Sequence, residues 1–137
     1  MPKILVVADE SWVVNDVRSA LAETRYDVTV LANPHEIVDS YAAVQPDLAI
    51  IDLQVQSMGG MAITRSIRHA ALAADAAIPP IVVLLDREVD AFLAKRAGAA
   101  ARLRKPFNGF ELRDTVDRLI AGESATDEGE PASAAAE

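Results

Sequence analysis

No cysteine occurs among the 137 residues. That excludes disulfides and thiolate metal centres, and it fits a reducing, cytoplasmic setting. Aromatic residues make up only 4 % of the chain. No apolar run approaches the roughly 20 residues that a membrane-crossing helix needs. Met1-Pro2-Lys3 leads into a strand-like run without a secretory pattern. The chain also lacks an overall basic charge. Its formal net charge is −8, which argues against a general nucleic-acid binder.

What is present is a core and an uneven charge distribution. Hydrophobic residues form 51 % of the chain, enough to fill the interior of one domain. Residues 95–118 carry Lys95, Arg96, Arg102, Arg104, Lys105, Arg113 and Arg118 against three acids. Residues 122–137 carry five acids and no base, and they include no large apolar side chain. The expected organisation is one domain over residues 1–121, followed by a disordered acidic Ala/Glu-rich tail over 122–137.

Strand-like and helix-like stretches alternate five times. Lys3–Val7, Val28–Leu31, Leu48–Ile51, Ile81–Leu85 and Ala100–Leu103 read as strands. The third and fourth are wholly apolar, as central strands covered on both faces would be. Ser11 is placed to cap a first helix with Val13, Val17, Ala20 and Leu21 at helical spacing. Asn33-Pro34 opens a second helix, with Ile37, Val38, Tyr41 and Val44 on one side, and Pro46 ends it. Gly59-Gly60 precedes a third helix containing Met61, Ile63 and Ile67, which Pro79-Pro80 separates from the fourth strand. Val89–Ala97 reads as a short helix stopped by Gly98. Asn108 caps a last helix with Phe110, Leu112, Val116, Leu119 and Ile120 inward, and Gly122 stops it. This order predicts an α/β fold, a doubly wound, five-stranded parallel sheet of (βα)5 type.

In such a sheet the carboxyl ends of the strands share one edge, where ligands bind. Asp9 follows the first strand, Asp52 ends the third and Lys105 follows the fifth. Two acids and a cation at one edge suit a phosphoryl group and a divalent metal.

These residues resemble a family. The run Lys3-Ile4-Leu5-Val6-Val7-Ala8-Asp9-Glu10, then Pro46-Asp47 through Asp52, the Gly59-Gly60 loop, and Lys105-Pro106-Phe107 together resemble the receiver domains of two-component response regulators. The resemblance covers roughly residues 3–121. It implies the flavodoxin-like receiver fold, with Asp52 as phosphoacceptor and Lys105 as the phosphate-facing lysine. It implies a Mg2+ site held by Asp9, Asp52 and the backbone carbonyl of Gln54, and a cis bond before Pro106. It also implies that a sensor histidine kinase or phosphotransfer protein supplies the phosphoryl group. A downstream protein would bind residues 88–120, because no output domain is seen. Signalling is then by protein binding rather than by an enzymatic activity.

Three positions depart from the family pattern. The first acid of the family's pair aligns with Ala8, which leaves Asp9 alone. A register making Asp9 and Glu10 the pair fits the apolar spacing of Trp12, Val13, Val17 and Leu21 less well, so Glu10 reads as a first-turn acid serving the helix dipole. Loss of an outer-shell metal partner commonly costs 10–100-fold in affinity, roughly 1.4–2.7 kcal/mol, so the Mg2+ site is expected to be weak. The fourth strand ends Leu84-Leu85-Asp86, without the switch Ser or Thr, and Asp86 puts a repelling charge beside the site. Arg102 stands where the switch aromatic is expected. The alternative reading is therefore a receiver-like interaction module that works without phosphorylation. Trp12 reads as a partly buried anchor beside the site, and His35 and His69 as surface residues. Flavin binding and Asp-x-Asp phosphatase chemistry are disfavoured, because Ala8-Asp9-Glu10-Ser11-Trp12 offers neither a phosphate loop nor that acid spacing.

Overall fold

A computed structural model describes residues 2–21, 25–53, 60–96 and 98–122. Its strands are β1 (Lys3–Val7), β2 (Asp27–Leu31), β3 (Leu48–Asp52), β4 (Ile81–Leu85) and β5 (Ala101–Arg104). Its helices are α1 (Ser11–Ala20), α2 (Ile37–Val44), α3 (Gly60–Ala73), α4 (Ala91–Arg96) and α5 (Gly109–Ile120). All neighbouring strands pair parallel, in the order β2-β1-β3-β4-β5. The doubly wound parallel sheet is the one the alternation predicts, and its strand order is that of the flavodoxin-like fold the resemblance implies.

Side chains along each strand point alternately to the two faces. Leu5, Val7, Ala49, Ile51, Val83 and Leu85 pack with Ile37, Tyr41, Ile63, Ile67 and Ala94, on the α2, α3 and α4 side. Ile4, Val6, Leu48, Ile50, Val82 and Leu84 pack with Val13, Val17, Leu112, Val116 and Leu119, on the α1 and α5 side. Every residue of β3 and β4 is buried, as the apolar runs Leu48–Ile51 and Ile81–Leu85 require, and Asp52 is buried with them.

The ends of the elements differ from expectation in physically legible ways. Ser11 is already the first residue of α1, and Glu10 takes the cap position without a side-chain hydrogen bond. Its carbonyl instead accepts from the amides of Val13 and Val14. Asn33 does not cap α2: it accepts from the His35 amide and so caps a 3-10 turn at Pro34–Glu36, and Glu36 takes the cap position of α2 without a side-chain hydrogen bond. Val44 and Ile120 are half-buried. The expected helix Val89–Ala97 is a 3-10 turn at Glu88–Asp90 followed by the six-residue α4. Asp90 is buried there and its amide bonds back to the Arg87 carbonyl, which tightens the turn. Asn108 caps α5 through the amides of Phe110 and Glu111. Phe110 itself is exposed rather than inward, and the Arg113 guanidinium lies over its ring. The side chains of Val38 and Met61, and residues 123–137 of the expected tail, lie outside the described residues.

Candidate functional site

The strand order reverses at β1 and β3, which places the exits of these strands beside the crevice where open sheets bind ligands. Val7 pairs with Ile51, so Ala8 is level with Asp52 and Asp9 lies just beyond it. Asp52 pairs with Leu84 on the other side. As the last residue of a central strand, Asp52 is fully buried. Asp9 is half-buried.

A buried carboxylate demands a partner. Lys105 supplies it from the end of β5, where its backbone amide is tied to the Leu85 carbonyl at 2.7 Å. The Lys105–Pro106 peptide bond is cis, as the resemblance implied. Lys105 is itself buried, and its Nζ donates to Asp52 Oδ1 at 2.8 Å. Nζ also stands 3.0 Å from Asp86 Oδ1, and 5.9 Å from the centre of the Trp12 ring. Burial alone pulls the pKa of Lys105 down. The hydrogen bonds and charges of Asp52 and Asp86 outweigh burial and hold it above its ordinary value.

The acid and the lysine expected at this edge therefore meet directly, and Asp9 emerges at the same edge. Gln54, expected to offer its carbonyl, lies outside the described residues, as does Gly59. Among the described residues no group of three or more His, Cys, Asp or Glu forms a metal centre. Two carboxylates at the exits of neighbouring parallel strands are nevertheless a donor set that suits Mg2+, which takes one or two carboxylates and keeps several waters. Ala8 is fully buried within the α1–α5 side of the core, so that position offers no third carboxylate.

The sequence marked Asp86 only as a repelling charge. Its pairing with Lys105 was missed, because it depends on the end of β4 lying beside the end of β5. The signal was its place one residue after the apolar run. Leu85 is buried and carries no hydroxyl. Arg102 on β5 reaches Glu88 at the head of the 3-10 turn before α4, with Nε 3.5 Å from Oε2. Trp12 is 44 % exposed and stands beside the site with its ring under the Lys105 ammonium, partly buried as expected. Glu10, His35 and His69 are exposed.

A family model described as the response regulator receiver domain matches residues 4–117. This chain belongs to the response regulator receiver domain family. Its receiver fold is shared with chemotaxis response regulator CheY4 of Vibrio cholerae, at 25 % identity and a TM-score of 0.73, covering 87 % of this chain and 98 % of that one. It is shared equally with the receiver domain of sensor histidine kinase PA1611 from Pseudomonas aeruginosa, at 26 % identity and a TM-score of 0.73, covering 88 % and 98 %. In that structure a magnesium ion is coordinated in the active-site cleft. The sensory transduction protein BceR of Halalkalibacterium halodurans is 27 % identical over 110 residues, which are 79 % of this chain and 45 % of BceR. The DNA-binding response regulator MtrA of Mycobacterium tuberculosis is 27 % identical over 111 residues, covering 80 % of this chain and 46 % of MtrA. The receiver chain thus spans less than half the length of the curated relatives it matches. No helix among its described residues is long and apolar enough to cross a membrane.

Proposed function

We propose that this receiver accepts a phosphoryl group on Asp52 and signals by binding another protein. The observation that carries this reading is the buried Asp52–Lys105 pair at the carboxyl edge of the sheet. In the step proposed, an Asp52 oxygen attacks phosphorus. A P–O bond forms to Asp52, and the bond from phosphorus to the donor breaks. The donor would be a phosphohistidine of a sensor kinase or phosphotransfer protein. Lys105 offsets negative charge on the transferring group, and its fixed position avoids reorganisation during the step. Asp9 and Asp52, with the Gln54 carbonyl, would hold Mg2+. When bound, the metal supplies further neutralisation of the phosphoryl oxygens.

Two surfaces support protein partners. A groove of about 350 Å³ between α1 and the start of α5 is lined by Asp16, Ser19, Phe107, Phe110 and Arg113, and offers room for a partner's side chain. Within residues 88–120, Val89, Phe92 and Phe110 are exposed, with Arg96 over Phe92 and Arg113 over Phe110. Aromatic and arginine side chains of this kind are enriched where partners bind, which supports that stretch as the output surface.

The second reading, a module that works without phosphorylation, is favoured by Leu84-Leu85 and Arg102, which stand in place of the switch hydroxyl and aromatic. Intact-mass analysis after incubation with acetyl phosphate and Mg2+ separates the two. The acceptor reading expects one phosphoryl adduct on the wild type and none on Asp52→Asn. An adduct that survives in Asp52→Asn contradicts it.

A further inference from the structure

The buried ammonium of Lys105 faces two carboxylates. Asp52 Oδ1 is 2.8 Å from Nζ and Asp86 Oδ1 is 3.0 Å from it. The Lys105 side chain is sealed from water, whereas Asp86 is 45 % exposed. Asp86 therefore approaches the lysine from the solvent side, the side from which an incoming anion would arrive. The chain beyond Asp86 is short and closely held. Arg87 pairs with Asp90 at 3.2 Å, and a 3-10 turn begins at Glu88. The backbone before Asp86 is fixed as well, because the Leu85 carbonyl accepts the Lys105 amide.

We infer that Asp86 is a resident anion that occupies Lys105 in place of a phosphoryl group and latches the segment after β4 onto the end of β5 while Asp52 is unmodified. The inference rests on the phosphoacceptor reading and adds a residue that sets the reactivity of the same site. Two consequences follow. An anion entering at Asp52 competes with Asp86 for the ammonium, so the site takes phosphoryl groups and their mimics weakly. The segment after β4 is already held, so little ordering remains for phosphorylation to drive. A ligand shifts an equilibrium only by its differential affinity for the two states.

The test uses the full chain with Mg2+ and beryllofluoride, and compares the wild type with Asp86→Asn, Asp86→Glu and Glu88→Gln. Asp86 is partly exposed, so its replacement leaves the core intact. Asp86→Asn is expected to tighten beryllofluoride binding by about tenfold or more, a difference of roughly 1.4 kcal/mol. Asp86→Glu keeps the anion and should stay near the wild type. Glu88→Gln removes the same charge from the same segment but not from Lys105, and is expected to change binding by about twofold or less. Without beryllofluoride, Asp86→Asn should also speed amide hydrogen exchange over residues 86–90. Equal tightening by Glu88→Gln would reduce the effect to general charge and overturn the inference. So would unchanged exchange together with unchanged binding in Asp86→Asn. If neither the wild type nor Asp86→Asn takes beryllofluoride, the phosphoacceptor reading fails, and the exchange measurement alone decides the latch.

Discussion

Lys105 Nζ lies 2.8 Å from Asp52 Oδ1, and the two side chains are 2 % and 0 % exposed. Removing one member of a buried pair strands the other charge, which commonly costs about 3–5 kcal/mol. Lys105→Met is therefore expected to lower unfolding free energy by roughly that amount in urea titrations. Asp52→Asn should cost much less, because the ammonium keeps Asp86. Equal losses in the two variants would contradict this ordering.

Alkaline pH probes the same pair. The folded pKa of Lys105 is raised above 10.5. Its contribution is then complete below that value and fades as pH rises through the folded pKa. Tyr26 acts in the same direction by another route. Burial, then its hydrogen bond to Asp117, push the phenol from 10.0 to about 12. Between these values the unfolded chain ionises and the folded one does not. Stability should fall by up to about 1.4 kcal/mol per pH unit across that window. Tyr26→Phe is expected to flatten this part of a stability–pH curve. A curve with unchanged slope would remove Tyr26 from the account.

Ala8 is level with Asp52 and fully buried. Placing a carboxylate there by Ala8→Asp should tighten Mg2+ binding, by about 10–100-fold. Without Mg2+ the same variant should melt lower than the wild type, because a second acid then crowds Asp52. Calorimetric titration that finds affinity unchanged or weaker would dismiss this account of Ala8.

Trp12 is the single tryptophan of the chain, and its ring centre is 5.9 Å from Lys105 Nζ. Its emission should change when beryllofluoride binds in the presence of Mg2+. Asp52→Asn should abolish the change. A response that persists in Asp52→Asn would place the binding elsewhere.

Much of this molecule was legible because burial writes itself into short runs. Leu48–Ile51 and Ile81–Leu85 had to be central strands, and their exits then located Asp52 and the edge shared with Lys105. Helix ends were less legible. The tight turn at Arg87–Asp90 depends on the burial of Asp90, which no apolar pattern announces. Hydrophobicity alone points Phe110 inward. It sits two residues before Leu112, on nearly the opposite face of a 3.6-residue helix, where Arg113 covers it instead. The contact between Asp86 and Lys105 joins the ends of two strands 19 residues apart in sequence, and only the folded register reveals it.

Asp52 is proposed as a phosphoacceptor whose connection to the output surface is weak. Amide proton–nitrogen NMR spectra with Mg2+, recorded with and without beryllofluoride, test both halves together. The account expects signals near Asp9, Asp52 and Lys105 to move, while those of Ala91–Arg96 and Gly109–Ile120 stay in place, and all movement to vanish in Asp52→Asn. Spectra that do not change would contradict the acceptor. Large, Asp52-dependent shifts throughout α4 and α5 would show an intact switch and contradict the weak coupling.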